Sequence, residues 1–263
     1  MRPVRGFTLI ELVMVIVLTG IVAVISAQFI VFSTEGAQDT ARRGRLASTA
    51  AVVSEWLSRD IRAALPGSVR VSSDGRCLEF IPVLAGGIYL DLPLTEAADR
   101  FRAIALGPEA VSGRIAVYPL GGSNPYALDD PGPISTRVGS VPGGSDEVTV
   151  TLGGMHRFDR ASPERRFFVV GTPIAWCQGG RYLYRYRAYG FVESMGSLSG
   201  TLPTSAPDRE VVAMPLAIDS LRFDAIPPTL TRNGLVTFSL RLEDPESGES
   251  LDVQQEVQIR NVP

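Results

Sequence analysis

The sequence of 263 residues predicts an α+β fold, one long helix followed by antiparallel β-sheet. Three observations predict it. An apolar run over 12–32 leads to an apolar stripe at helical spacing over 46–65, Pro66-Gly67 breaks the helix, and beyond it the periodicity falls to two. The 26 glycines and 19 prolines supply turns for many short strands. With 45% hydrophobic and 20% charged residues, a disordered polymer is excluded.

The first element is apolar. Leu12 to Phe32 reads LVMVIVLTGIVAVISAQFIVF, 21 residues without a formal charge. As a helix it is ~31 Å long, against a hydrocarbon core of ~30 Å. This predicts a membrane span; a secretory signal has an apolar run of only about 7–15 residues. Arg2 and Arg5 precede it and hold the N-terminus in the cytoplasm, which puts everything after Phe32 outside, in a periplasm.

The helix is expected to continue over 33–65. Leu46, Ala50, Val53, Leu57, Ile61 and Ala64/Leu65 form an apolar stripe at spacings of three and four. Arg42, Arg43, Arg45, Ser48, Glu55, Arg59 and Arg62 lie on the other side.

Residues 66–263 then read as a β-rich head. Strands are expected at Val69–Val71, Cys77–Val83, Gly87–Leu92, Arg114–Tyr118, Glu147–Leu152, Arg166–Gly171, Ile174–Cys177, Arg181–Val192, Glu210–Met214, Ser220–Asp224, Leu235–Leu242 and Leu251–Arg260. The last two form the clearest hairpin, turning at 244–248. A short helix capped by Thr95 is expected over Thr95–Ile104, and Pro119–Asp146 reads as a long loop, either functional or disordered.

Composition narrows the function. The net charge of −3 excludes a generally basic nucleic-acid binder, so no nucleic-acid partner is expected. All 25 basic residues are arginine, which reflects a GC-rich genome rather than a function. A single histidine, His156, excludes any mechanism that needs two, and two cysteines are too few for a thiolate zinc site. Asp129-Asp130 and Asp146-Glu147 lack the spacing of a calcium loop. No cofactor, metal or catalytic grouping is expected. In Arg181–Arg187, tyrosines alternate with arginines, which places Tyr on one strand face and Arg on the other. Cys77 and Cys177 sit on expected strands in a compartment that permits disulfides; a bridge is favoured over two buried thiols. It would close a loop of about 100 residues, worth at most ~4.7 kcal/mol on the chain-entropy account.

The junction Arg5-Gly6-Phe7-Thr8-Leu9-Ile10-Glu11-Leu12, with its basic leader and apolar helix, resembles the class III signal of type IV pilins and type II secretion pseudopilins. The resemblance implies a prepilin peptidase that removes residues 1–6 by cutting between Gly6 and Phe7, and N-methylation of Phe7. Residues 7–32 are then the membrane half of the helix. Gly6, without a side chain, lets the scissile bond lie extended. Glu11 is a carboxylate at the edge of an apolar run; the resemblance implies that it pairs with a neighbouring subunit's terminal amine and sets axial register. A proline in the second half of the span, common in major pilins, is absent here.

RDIRAALPGSVRV followed by CLEFIPV, and the ending QEVQIRNVP, are similar to the larger minor pilins, above all the O-type of the mannose-sensitive haemagglutinin (MSHA) pilus, related to J-type pseudopilins and W-type minor pilins. This implies a subunit of the inner membrane, later of the fibre tip, that primes assembly with other major and minor pilins. A J-type role in type II secretion is the alternative, and so is an adhesive tip module binding through loop 119–146. An enzyme is not expected.

Overall fold

The computed structural model describes residues 8–120, 123–229 and 232–259. Two compact units divide the chain, Met1–Ser48 and Thr49–Pro263. One helix, α1, spans Leu9–Arg62, so its residues to Ser48 form the first unit and the remainder belongs to the second.

In the second unit the rest of α1 buries Val53, Leu57 and Ile61 completely, the stripe that helical spacing predicts, while Glu55, Arg59 and Arg62 stay exposed. The helix ends at Arg62, three residues short of the expected Leu65. Pro66 disfavours helical geometry before it, and strand-type bonds replace the helical ones. The Val83 amide donates to the Ala63 carbonyl at 2.8 Å and the Leu65 amide to the Ile81 carbonyl at 2.8 Å. Gly67 completes the stop at φ +83°, where a Cβ would stand 2.7 Å from the Pro119 carbonyl oxygen.

Among the described residues fourteen strands follow: β1 Arg70–Val71, β2 Cys77–Phe80, β3 Val83–Ile88, β4 Ala98–Ile104, β5 Val111–Ala116, β6 Gly139–Val141, β7 Glu147–His156, β8 Arg166–Val170, β9 Ile174–Gly179, β10 Tyr182–Tyr186, β11 Arg209–Ala213, β12 Arg222–Ile226, β13 Gly234–Glu243 and β14 Ser250–Ile259. A 3₁₀ turn, Met195–Ser197, and a one-turn helix, α2 Leu198–Thr201, stand between β10 and β11.

They make three antiparallel sheets. The first runs β1-β2-β9-β10-β11 and the second β12-β13-β14. The third, β3-β8-β5-β6-β7-β4, closes on itself: Tyr89, just after β3, bridges Ala103 in β4, and the Leu90 amide donates to the Arg102 carbonyl at 2.8 Å. Closure removes sheet edges and makes an inside. Ile115, Val150, Phe167 and Val169 fill it, and Phe101 meets Phe158 and Phe167 edge-on at 6.4 and 5.5 Å. The whole barrel is inserted between β2 and β9, which pair directly across its neck.

The disulfide sits on that neck. Cys77 and Cys177 are opposite one another in the β2–β9 register, their Cα atoms 4.2 Å apart, and are bonded with a separation of 100 residues.

Three expectations are corrected here. Residues 95–104 are not a helix; Ala98–Ile104 is β4, with Phe101 and Ala103 buried and Arg100 and Arg102 exposed. That alternation suits a barrel wall, and ladder bonds to β7 override weak local helix preference. The 119–146 segment is not a structureless loop. It contains β6, and Tyr126, Ile134, Ser135 and Val141 are buried. Gly139 allows β6 to form, because a Cβ there would lie 2.1 Å from the Thr151 carbonyl oxygen. The strand expected to reach Val192 ends at Tyr186, since Ala188 and Gly190 take positive φ and turn the chain back.

Candidate functional site

The N-terminal segment is the first candidate. The Glu11 amide donates to Thr8 Oγ1 at 3.4 Å and the Leu12 amide to the Thr8 carbonyl at 3.2 Å. Thr8 therefore caps α1, with Glu11 three residues on and in the first turn, where a carboxylate faces the positive end of the helix dipole. From Leu9 to Phe32 the large apolar side chains are exposed, Leu9 at 81% and Phe32 at 77%. The helix is long and apolar enough to cross a membrane, with a mean hydropathy of 2.7 in its most apolar stretch and none of that stretch buried. Gly6 and Phe7, the expected cleavage pair, lie outside the described residues, as do the last four residues of QEVQIRNVP.

In the second unit, two carboxylates organise the first sheet, Asp60 half-buried and Glu79 buried. Asp60, on α1, accepts through Oδ2 from Trp176 Nε1 at 3.2 Å and Arg185 Nε at 2.7 Å, which ties the helix to β9 and β10. Glu79, on β2, is wholly buried and pairs through Oε2 with Arg70 Nε at 2.6 Å, while the Tyr189 hydroxyl donates to Oε1 at 2.9 Å. Arg70 also donates to the Glu193 carbonyl at 2.8 Å and to that of Val192, and lies 3.5 Å over the Tyr126 ring. Burial raises the carboxyl of Glu79 above its ordinary pKa despite Arg70, and raises the Tyr189 and Tyr126 hydroxyls. These contacts join β1 and β2 to residues 189–193 and to the 119–146 segment. The expected division of β10 is present: Tyr182, Tyr184 and Tyr186 stack along one face at 5.8 and 5.9 Å, and Arg185 leaves from the other.

His156 ends β7 fully buried. Its Nε2 lies 3.2 Å from the Gly132 carbonyl, an acceptor only, so Nε2 carries the ring proton. Nδ1 faces Asp130 Oδ1 at 3.7 Å. Burial lowers its pKa, against smaller upward pulls from Asp130, the Gly132 carbonyl and Asp159. A histidine lowered in the fold stays neutral there while the unfolded chain takes up a proton. Its contribution is therefore complete above the unfolded value of about 6.5 and is lost as pH falls from there through the folded value. Urea midpoints are expected to fall between pH 7 and 5 in wild type and to stay flatter in His156→Gln, with tryptophan fluorescence as the readout. Among the described residues, no group of three or more His, Cys, Asp or Glu is placed to hold a metal ion.

Asp60 and Glu79 were not singled out from the sequence. The available signal was weak: one carboxylate beside the buried stripe of α1, and one between Leu78 and Phe80 in a strand.

Compared with known proteins, residues 1–27 match the family described as the prokaryotic N-terminal methylation motif, the signal of type IV pilins and pseudopilins that prepilin peptidase processes. No curated protein and no solved structure matches the chain.

Proposed function

We propose that this chain is a minor pilin, cut between Gly6 and Phe7, methylated on Phe7, held in the inner membrane with its head in the periplasm, and incorporated near the tip of a type IV pilus whose assembly it primes. The observation that carries the reading is the methylation motif together with an exposed helical stretch of membrane length that has no formal charge over 12–32. The size and construction of the head support a tip position over that of the repeating subunit. A six-stranded barrel inserted across a disulfide-closed neck adds bulk that a repeating lattice would have to accommodate at every copy.

We place it in an MSHA-type pilus on the resemblance of residues 65–83 alone; a J-type role in type II secretion is the second reading, and shares the same anchor. Adhesion through 119–146 is less favoured, because buried Tyr126, Ile134 and Ser135 give much of that segment to packing. We read the role as non-enzymatic; the single histidine, buried with its proton-bearing nitrogen on a backbone carbonyl, is used in packing.

Processing is the direct test. A branched side chain at Gly6 crowds an extended scissile backbone, so Gly6→Val is expected to retain the leader while wild type loses it and gains one methyl group. Intact mass of the membrane-extracted chain reads both. A mature N-terminus other than Phe7 would remove the pilin reading. Pilus number and secreted protein in a deletion strain then separate pilus from secretion.

A further inference from the structure

Among the described residues, the sheet edges of the second unit are short, irregular or covered, apart from β14; β11, at one end of the first sheet, has five residues, carries Arg209 and shifts register against β10. β1 has two residues and the third sheet closes on itself. The outer side of β12 is met by the Phe223 amide donating to the Gly75 carbonyl at 2.7 Å. β14 differs. It pairs with β13 over ten consecutive positions, Gly234–Ile259 to Glu243–Ser250, without a register shift. Among the described residues, no backbone hydrogen bond reaches its other side. It contains no proline, glycine, lysine or arginine, the residues that usually blunt an edge.

Alternation along β14 says what would fit. Its exposed face carries Asp252 and Glu256 and no cation; Asp252 pairs with Arg241 at 2.7 Å, and Glu256 lies across from Thr237. The other face carries Leu251 and Val253, half-buried at the sheet margin, so its apolar cover stops short of the edge. We propose that β14 accepts an extended strand from a partner chain, one with apolar residues on its inward face and two cations four residues apart on its outward face. Four residues of strand span ~13 Å, the separation of Asp252 from Glu256. Main-chain bonds would supply affinity and the alternating side chains selectivity. A second copy of β14 paired antiparallel about Gln254 is disfavoured, because Asp252 then faces Glu256 twice and like charges directly opposite are unfavourable. The inference rests on the head alone and does not depend on the pilin reading.

Two ten-residue peptides of alternating valine and threonine provide the probe, one with arginine and one with glutamate at two outward positions four apart. With full-length protein in detergent micelles, the arginine peptide is expected to slow amide exchange within 250–259 and to bind at least about tenfold more tightly than the glutamate peptide, a gap of about 1.4 kcal/mol. Glu256→Lys should abolish that preference; Gln254→Lys, which adds a cation between the two acids, should weaken it. Equal binding of the two peptides, or slowed exchange elsewhere, would overturn the proposal. So would protection of 250–259 that grows with protein concentration without peptide, which would identify a second copy as the occupant.

Discussion

Glu11→Gln is expected to leave a processed, membrane-inserted chain whose incorporation into fibres falls about tenfold or more. The amide keeps the shape of the side chain and the apolar helix around it, so cleavage at the Gly6–Phe7 junction and insertion proceed. Only the charge is lost. In the pairing with a neighbour's terminal amine that the resemblance implies, removing one partner in a low-dielectric setting leaves the other uncompensated, at a cost of about 3–5 kcal/mol. Glu11→Leu should be at least as defective, although it makes the helix more apolar. Because Thr8, not Glu11, supplies the capping oxygen to the Glu11 amide, the helix start survives either change. Co-purification with the fibre, alongside the mass of the processed chain, measures both halves of the expectation. Wild-type incorporation of Glu11→Gln would mean that the subunit joins through its head or through helix packing alone.

Glu79→Ala is expected to lower the stability of the head by about 3–5 kcal/mol, because it leaves Arg70 charged beside the neck without its carboxylate. Arg70 would keep its carbonyls and the Tyr126 ring, which hold the side chain in place but do not neutralise it. The Tyr189 hydroxyl would lose its acceptor as well. For a unit of this size, a loss of that order lowers the melting temperature by roughly 6–20 °C. The control is the double change Arg70→Met with Glu79→Leu, which removes both charges and should lose less than Glu79→Ala alone. Thermal melts of the full chain in detergent decide it. An equal loss in the double variant would assign the cost to packing rather than to the unpaired charge.

How much was legible in advance depended on whether a signal was local. The span, the stop at Pro66-Gly67 and the 235–242/251–259 hairpin all announce themselves within their own residues: a run without charge, a residue that disfavours helix before it, a clean alternation with a turn between. Residues 95–104 did not. They alternate only from Arg100 to Ala103, a threonine at the start also suits a helix cap, and only β7 alongside decides between the two. β6 is shorter still, three residues whose place depends on a glycine that lets Thr151 approach.

The sequence by itself determined the parts of this protein whose physics is one-dimensional. Hydrophobic length, charge at the leader and the Gly6–Glu11 phrase need no neighbour to be read, and they carry the functional reading. Tertiary structure alone decided the rest. That 81–173 folds back into a closed barrel follows from Tyr89 meeting Ala103. That the cysteines close its neck follows from a β2–β9 register joining residues about 100 positions apart. The ion pairs Asp60–Arg185 and Arg70–Glu79 and the open edge of β14 arise in the same way. Each depends on which distant segment lies alongside, and that is settled by burying apolar surface and pairing backbone groups across the whole head, not by preferences within a short window.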